Sequence, residues 1–599
     1  MGIELIQAEL SRPASVLGID SSLSGRRWVW RTAEDRIGVG IAQRLGLPEI
    51  LGRLLAVRGV DIDAAADFLT PTLRVMLPDP SVLADMELAA ERLAAAVRDG
   101  ETVAVFGDYD VDGACSGALL AGTLRQLGCT VLSYVPDRLS EGYGPNAPAL
   151  RSLAERGARL LVCVDCGTAA GDILAELHGH ADIVVLDHHK SDLPPAGIVA
   201  TVNPNRHDCT SGLGHLCAAA IVFLTLVATV RTLRRGGWFA ARTEPDLLGM
   251  LDLVALATVC DVMPLTGLNR AFVTQGLRVM ARRGRPGIAA LLEVAQVKGV
   301  PSAMSLGFAL GPRINAAGRI DDAGLGLRLL LCADPHEALA LAQTLDGINR
   351  QRQSVEAGML DAAMAAGAAQ VAAGHAALVV AGEDWHPGVV GIVASRVRER
   401  FNRPALVAAV ADGLARGSGR SVPGLDLGEA VLAARAAGLL TSGGGHAMAA
   451  GFALAAESLP AFQAFLDHRL QAAMALPKAA DLAVEGTLAV PGCTHEVAEH
   501  LARLAPFGPG NEEPMLIVPR ARVVKADRVG KDGGTVRAFV QGEGGGRLKA
   551  VMFRAGEGAA AEALLSRAGA ALHLAGHLRA EEWNGTVSTG FVVTDVALA

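Results

Sequence analysis

Short apolar runs with strand character alternate with helical segments from residue 102 onward, and three of these runs stop at an acidic residue. Alternation of strands and helices predicts right-handed βαβ units and a parallel sheet. Because ligands bind beyond the carboxyl ends of such strands, we expect the acids to meet in one crevice. Asp261 follows a helical run and is expected to join them. The runs and their acids are residues 102–107 with Asp108, 159–164 with Asp165, and 181–186 with Asp187.

The rest of the chain shows three further patterns. Residues 30–100 predict helices, and a polar helical stretch at 349–356 predicts a connector to a second α/β segment at 376–474. Residues 481–599 contain alternating runs separated by glycine-rich turns. That last pattern predicts a small antiparallel barrel, for which an OB-fold is the leading candidate.

Composition narrows the class of protein. A chain of 599 residues with 51% hydrophobic residues is long enough for several packed domains. The net charge of -8 repels polyanions, so nucleic acid would need a local cationic groove or bound cations. The nine cysteines are an odd number and favour reduced thiols. The N-terminus lacks the pattern of a signal peptide, and the longest apolar run, residues 216–230, is shorter than the roughly 20 residues that span a bilayer. We therefore expect a cytoplasmic protein without a membrane segment.

The first acidic cluster, GDYDVDG at residues 107–113, contains Asp108, Asp110 and Asp112. Three carboxylates this close repel one another unless a cation neutralises them. A structural alternative is a turn in which Asp112 or Ser116 caps the following helix. An EF-hand is excluded because no glutamate stands at the required spacing.

The second cluster is Asp187-His188-His189, which also follows a predicted strand. An imidazole beside an acid suits a metal ligand that is oriented by its neighbour, although an isolated pair of histidines is more often an ordinary surface feature. Carboxylates combined with imidazole favour Mn²⁺ or Mg²⁺ over a closed zinc site. Two such ions would activate a water and stabilise the leaving oxygen of a phosphoester.

These segments, in this order, resemble the DHH phosphoesterases, and later segments resemble the RecJ-type exonucleases within them. The first group is GDYDVDG at 107–113, VDCG at 164–167, DHH at 187–189 and CDVMPL at 260–265. The second group is GPRINAAGR at 311–319, WHPGVVGIVASR at 385–396, GSGRS at 417–421, GGGHAM at 443–448 and PFGPGNEEP at 506–514.

The resemblance implies a multidomain α/β protein that degrades single-stranded DNA from the 5′ end, in DNA repair and recombination. A parallel-sheet DHH domain and a DHHA1 domain would be joined by a helix, with a C-terminal OB-fold that binds the strand. The predicted divisions are an N-terminal helical segment at 1–95, DHH at 96–345, the connecting helix at 346–362, DHHA1 at 363–475 and the OB-fold at 476–599.

The resemblance also assigns roles to single residues. Asp187, His188 and His189 would be catalytic, with Asp187 orienting the histidines and His189 contacting the scissile phosphate. Some family members have a histidine four residues ahead of the acid pair. This sequence has Phe106 at that place. The metal ligands would be Asp108, Asp110, Asp112, Asp165, His188 and Asp261, holding two divalent ions, Mn²⁺ or Mg²⁺. The substrate would contact Arg138, Arg313, Asn315, Arg319, His386, Ser418, Arg420, Gly444, Gly445 and His446.

Two other functions fit the same residues. One is a DHH phosphodiesterase that acts on oligoribonucleotides or cyclic dinucleotides, although such enzymes are usually shorter and lack the barrel. The other is a nucleic-acid-binding factor that has lost catalysis, against which the intact acids and histidines speak. As partners, the resemblance implies single-stranded DNA, a single-strand-binding protein and a RecQ-type helicase, with the chain itself a monomer.

Overall fold

The computed structural model describes residues 14–31, 33–138, 140–191, 193–474, 481–530, 533–566, 571–583 and 586–599. They form two compact units. The barrel unit takes in the described residues of Met1–Leu77, Pro264–Ala271 and Lys478–Ala599, and the two-sheet unit takes in those of Pro78–Met263 and Phe272–Pro477. The predicted division into five parts stays a prediction.

The first sheet of the two-sheet unit has five strands, all parallel, which confirms the predicted parallel sheet. The central strand Leu160–Val164 is buried over its whole length and its neighbour Thr102–Gly107 is buried except at Thr102, as expected for a sheet covered by helices on both faces. The strand order is Thr130–Tyr134, Thr102–Gly107, Leu160–Val164, Asp182–Leu186 and Ala200–Val202.

Helices surround this sheet. One of them, Ala218–Arg235, is buried along most of its length. Within the described residues, no helix is both long and apolar enough to cross a membrane. The other helices of this unit are Met86–Asp99, Val111–Gln126, Ala147–Glu155, Gly171–Ala175, Leu251–Cys260, Pro286–Val294, Gly311–Ile320 and Gly324–Leu331. The helix Gly267–Ala281 begins in the barrel unit and ends in this one.

A helix of 38 residues, Pro335–Ala372, leads to the second sheet and contains the predicted connector. The second sheet is mixed, since only its last two strands pair in parallel. The strand order is Ser442–His446, Ala449–Ala455, Leu414–Arg420, Ala405–Ala411 and Leu378–Glu383. The helices that follow or join these strands are Val390–Phe401, Leu427–Ala436 and Leu459–Met474.

The barrel unit confirms the predicted C-terminal barrel. The strand Leu516–Val529 pairs with both Thr535–Gly542 and Ala571–Trp583, which closes the sheet. The N-terminal helices share its apolar core, because Leu51 and Leu54 pack in one cluster with Val518 and Val536. The remaining strands are Gly486–Thr487, Gly545–Met552 and Thr586–Leu598, with the parallel pair Arg27–Trp30 and Asp481–Val484 beside them. The helices are Asp35–Leu45, Glu49–Val57, Ala65–Leu69, Leu73–Met76, His495–Ala502 and Ala559–Leu565.

Candidate active site

The loop after the first strand turns sharply into the helix Val111–Gln126. A methyl group at Gly113 would lie 2.3 Å from the carbonyl oxygen of Asp108, so only glycine permits this turn. The helix cap is Asp110, whose Oδ1 accepts the backbone N–H groups of Asp112 at 2.8 Å and Gly113 at 3.1 Å. Neither residue suggested as a cap by the sequence fills that position. The cap leaves the other oxygen of Asp110 available for a ligand.

The side chain of Asp112 contacts the first turn of another helix. Its buried carboxylate accepts the N–H groups of Ala218 at 2.7 Å and Ala219 at 2.8 Å, the first residues of Ala218–Arg235. The positive end of the helix dipole stabilises a carboxylate there. The sequence indicated this helix as apolar and buried but gave no sign that its first turn belongs to the site.

His188 stands at the centre of the acids. Its Nε2 lies 3.3 Å from Asp165 Oδ1, 3.5 Å from Asp261 Oδ2 and 3.9 Å from Asp112 Oδ2. Ligand atoms within 4.8 Å of one another form three groups that share residues. The groups are Asp108, Asp110 and Asp165; Asp112, His188 and Asp261; and Asp165, His188 and His189. The structure therefore brings together all six predicted metal ligands.

Asp187 faces the histidines and holds their loop in place. Its Oδ1 accepts the backbone N–H of His188 at 2.7 Å and contacts His189 Nδ1 at 2.8 Å, while Thr168 donates to its Oδ2. These bonds, above all those from His189, lower the pKa of Asp187 even though burial opposes ionisation. The bond to Asp187 likewise raises the pKa of His189 to about 9 against the effect of burial. In the metal-free protein the bond to Asp187 therefore favours the protonated form of His189.

Three residues of this network escaped the sequence analysis. Asn203 Nδ2 donates to Thr168 Oγ1 and to the carbonyl oxygen of His189, both at 2.9 Å. The hydroxyl of Tyr143 lies 3.1 Å from Nδ1 of His189. No local motif marks Thr168, Asn203 or Tyr143, because each joins this network from a different loop.

The buried acids repel one another, and a bound cation would neutralise them. Burial, followed by repulsion from neighbouring acids, raises the pKa of Asp108 to about 8, of Asp112 to about 7 and of Asp261 to about 8. The pKa of Asp165 is raised by the same causes. Buried oxygens of Asp108, Asp165 and Asp261 have no hydrogen-bond partner in the described part of the chain. Carboxylates and imidazole with free oxygens fit hard divalent cations such as Mn²⁺ and Mg²⁺.

These shifts predict how the metal-free protein responds to pH. A carboxylate with such a shift has a higher pKa in the folded protein than in the unfolded chain, where the pKa is about 4. Its contribution to the free energy of unfolding is fully present below about pH 4 and is lost as the pH rises through the pKa of the folded protein. With chelator present, we expect the melting temperature to fall between pH 5 and pH 8, and Mn²⁺ to reverse the fall. Thermal unfolding at several pH values, with and without Mn²⁺, measures this. A flat profile in chelator would contradict the arrangement of charges described above.

Arginines gather around the loop of Asp108 and the second sheet. The guanidinium of Arg138 lies 4.9 Å from the ring centre of Tyr109. Burial, then repulsion from Arg138, Arg352 and Arg420, lowers the pKa of Arg319 to about 10. Burial, then repulsion from Arg138, also lowers the pKa of Arg420. Cations held close enough to destabilise one another favour binding of a polyanion.

Arg420 and Ser418 lie beside the start of the helix Val390–Phe401. A methyl group at Gly391, in the first turn, would lie 3.2 Å from Arg420 Nη2 and 3.4 Å from Ser418 Oγ. Among the described residues, no side chain caps this helix. Free N–H groups, a hydroxyl and a guanidinium together make an anion-binding site suited to phosphate.

Two glycines connect this anion site to the acids. A methyl group at Gly318 would lie 2.4 Å from the carbonyl oxygen of Tyr109, between Asp108 and Asp110. One at Gly388 would lie 2.1 Å from the carbonyl oxygen of Arg319, and Arg319 Nη1 donates to the Gly388 carbonyl oxygen at 3.1 Å. The segment Gly318-Arg319 therefore sets the spacing between the two sites.

The other predicted substrate residues differ in their surroundings. Arg313 donates to Asp346 at 2.9 Å and to the carbonyl oxygen of Ala309 at 2.6 Å. His386 Nδ1 accepts the N–H of Gly388 at 3.1 Å, which makes it a cap of that turn. Asn315 lies on the helix Gly311–Ile320, and Gly444, Gly445 and His446 lie on the edge strand Ser442–His446. Their roles in binding substrate stay predictions.

Phe106 supplies no ligand. It is fully buried, and its ring stacks on Tyr134 with centroids 5.4 Å apart. Asp108, two residues later, belongs instead to one of the three ligand groups.

The barrel carries a basic face that the sequence analysis did not single out. The strand register places Lys525 and Lys549 on either side of Phe539, and Arg522 and Arg547 on either side of Gln541 in the next row. Lys549 also pairs with Glu581 at 2.6 Å. Residues 536, 538 and 540 point into the barrel, so Phe539 and Gln541 point outward. Period-two alternation in this run was the available signal. Cations around an aromatic ring are typical of surfaces that bind single-stranded nucleic acid.

Comparison with known proteins settles the family. Residues 102–258 match the DHH family, N-terminal domain, residues 373–472 match the DHHA1 domain, and residues 484–595 match the RecJ OB domain. The single-stranded-DNA-specific exonuclease RecJ of Escherichia coli (strain K12) is 39% identical over 524 residues, which cover 84% of this chain and 88% of that protein. The chain belongs to the RecJ family. The RecJ of Bacillus subtilis (strain 168) is 32% identical over 96% of this chain and 71% of its own length.

Solved structures of RecJ agree with this fold. The crystal structure of RecJ in complex with Mn²⁺ from Thermus thermophilus superposes with a TM-score of 0.78 at 30% identity, covering 94% of this chain and 78% of that one. A second structure of the same protein, in complex with Mg²⁺, superposes with a TM-score of 0.73 at 29% identity, covering 94% of this chain and 76% of that one. The DHHA1 and OB assignments made from the resemblance are confirmed.

Proposed function

We propose that this RecJ-family chain is a metal-dependent exonuclease that hydrolyses single-stranded DNA from the 5′ end. The observation that carries the proposal is the pairing of the carboxylate and imidazole cluster around His188 with the arginine cluster of Arg138, Arg319 and Arg420. The first can bind divalent cations, and the second can bind phosphates.

Divalent cations bound at the cluster supply Lewis acidity and a water of lowered pKa. The residues of the chain position the reactants. Asp187 holds the loop of His188 and His189 through side-chain and backbone hydrogen bonds. His189 is about half exposed and contacts Asp187 through Nδ1, so its protonated form can donate a hydrogen bond from Nε2 to an oxygen of the scissile phosphate.

The phosphate site at Ser418 and Arg420 gives the reaction its direction. A strand whose 5′-phosphate occupies that site presents its next phosphodiester to the acids, because the segment Gly318-Arg319 fixes the spacing. The first product is then a mononucleotide. Only an end can enter this way, so a circular strand is not a substrate.

The further assignments follow the same proposal. The basic face around Phe539 binds bases and backbone of the strand without sequence preference. The enzyme acts as a cytoplasmic monomer, and a single-strand-binding protein and a RecQ-type helicase deliver its substrate.

The test compares linear and circular single strands of one sequence, with Mn²⁺. We expect mononucleotides from the 5′-phosphorylated linear strand and no cleavage of the circle. The variant Arg420→Ala should lower kcat/KM for the 5′-phosphorylated strand, relative to a 5′-hydroxyl strand, by about tenfold, the value of one charged hydrogen bond. Cleavage of the circle, or release of nucleotides from the 3′ end, would overturn the proposal.

A further inference from the structure

A cavity extends from the phosphate site across the open face of the second sheet. Its volume is about 780 Å³, within the range of small-molecule sites. It is lined at one end by Val390 and Ser418, which belong to the phosphate site, and at the other by Arg416, Thr441 and Ser442. A strand bound by its 5′-phosphate therefore leaves this space beyond its end.

Arg416 lies on the same strand as Ser418, two residues away, and both side chains line the cavity. Two residues of a strand span about 7 Å, and the long side chain of an arginine can bring its guanidinium within reach of the outer phosphates of a polyphosphate that begins at Ser418. Within the described part of the chain, Arg416 makes no ion pair and is exposed. A guanidinium without an ion-pair partner among the described residues is therefore available in the lining of the cavity that begins at the phosphate site.

The lining favours an anion over a nucleobase. It contains no aspartate or glutamate among the described residues, so the charge of Arg416 is not neutralised there. The aromatic ring in the lining is that of Phe452, which is only 5% exposed and packs in the core beneath the sheet. Gly444 and Gly451 leave open space, since a methyl group at either would meet nothing within 4 Å. Stacking of a base would require an accessible ring.

We propose that this cavity binds the outer phosphates of a 5′-polyphosphate, so that the enzyme accepts strands with a 5′-triphosphate end. The inference rests on the proposed exonuclease function and adds a class of substrate to it. Water adds to the phosphorus between the first two nucleotides, and the bond from that phosphorus to the 3′-oxygen of the first nucleotide breaks. The 3′-oxygen takes up a proton, so that the products are a deoxynucleoside 5′-triphosphate and a strand with a new 5′-monophosphate.

The experiment uses the full chain with Mn²⁺ and three strands of one sequence that carry a 5′-hydroxyl, a 5′-monophosphate or a 5′-triphosphate. Chromatography and mass spectrometry identify the first nucleotide released, and the rate of the first cleavage gives kcat/KM. We expect the triphosphate strand to be cut at least as fast as the monophosphate strand, with a nucleoside triphosphate as first product. Binding of the same strands in chelator, measured by fluorescence anisotropy, gives a readout that does not need catalysis.

Arg416→Ala should lower the ratio of kcat/KM for triphosphate over monophosphate strands by about tenfold. Arg469→Ala is the matched control, because Arg469 lies on the surface of the same domain and pairs with Glu429. It should leave the ratio unchanged. An equal loss on both strands in Arg416→Ala would overturn the proposal.

The outcomes separate this inference from the proposed function. Cleavage of the hydroxyl and monophosphate strands with resistance of the triphosphate strand would overturn the inference alone. Release of a nucleoside 5′-monophosphate as first product from the triphosphate strand would also overturn it. Absence of cleavage on all three strands would overturn both.

Discussion

Asp165→Asn is expected to abolish hydrolysis and at the same time to raise the melting temperature of the metal-free protein. Asp165 belongs to two of the three ligand groups, and one oxygen of its buried carboxylate has no hydrogen-bond partner among the described residues. In metal enzymes, loss of a residue that only hydrogen-bonds a metal ligand already lowers metal affinity or activity by about 10–100-fold. For loss of a ligand itself we expect activity to fall by more than about a hundredfold. At neutral pH the unfolded chain carries an ionised Asp165, whereas burial and repulsion from neighbouring acids disfavour the ionised form in the metal-free fold. The amide removes this cost, which should stabilise the fold by ~2 °C or more.

Asparagine is the right replacement because Asp165 has a positive φ of 61°. Asparagine tolerates this left-handed backbone better than alanine does, so the substitution changes charge without adding strain. Rates with Mn²⁺ and thermal unfolding in chelator measure the two effects. Asp172→Asn, at an exposed acid in the next helix, is the control and should change neither. A lower melting temperature for Asp165→Asn in chelator would contradict the role given to like-charge repulsion.

Gly388→Ala is expected to have the second-largest effect. The added methyl group would lie 2.1 Å from the carbonyl oxygen of Arg319, a backbone atom that cannot move away independently. Forcing these segments apart should cost about 1–3 kcal/mol of stability and shift the phosphate site relative to the acids. Because a misplacement of about 1 Å can cost a hundredfold, we expect kcat on 5′-phosphorylated strands to fall by about that factor.

Gly347→Ala is a matched control for this substitution. Gly347 is exposed in the helix Pro335–Ala372, and a methyl group there would meet nothing within 4 Å. That variant should keep full activity and gain about 0.5–1 kcal/mol, the usual preference for alanine in a helix. Calorimetry and steady-state kinetics on both variants measure the contrast. Normal kinetics in Gly388→Ala would show that the contact with Arg319 does not set the spacing.

The sequence was enough to predict that the acids converge, because strand ends in a parallel sheet share one edge. Asp108, Asp165 and Asp187 each follow a strand, and the structure brings the first two to the cluster and places the third behind the histidines. It was not enough to predict which atoms pair. The contact of Asp112 with the start of helix Ala218–Arg235 joins residues more than a hundred positions apart, and no local pattern encodes such a contact.

The sequence also did not predict which partner an arginine side chain would bind, or which backbone atoms would pack against a glycine. Arg313 matches a motif rich in candidates for phosphate binding, yet Asp346 from the next long helix engages its guanidinium. The glycines at 318 and 388 look like ordinary turn or helix residues until the carbonyl oxygens that they approach are known. The N-terminal helices gave no chemical signal, and their place beside the barrel follows from shared apolar packing, which many partners could satisfy.

Asp110 serves two structures at once, since one of its oxygens caps the helix Val111–Gln126 and the residue belongs to a ligand group. Occupancy by an ion and order in the first turn of that helix are therefore linked equilibria, and each must favour the other by the same free energy. Substitutions far along this helix, in residues that do not contact the substrate, can thus change the affinity for the cation by stabilising or destabilising the first turn.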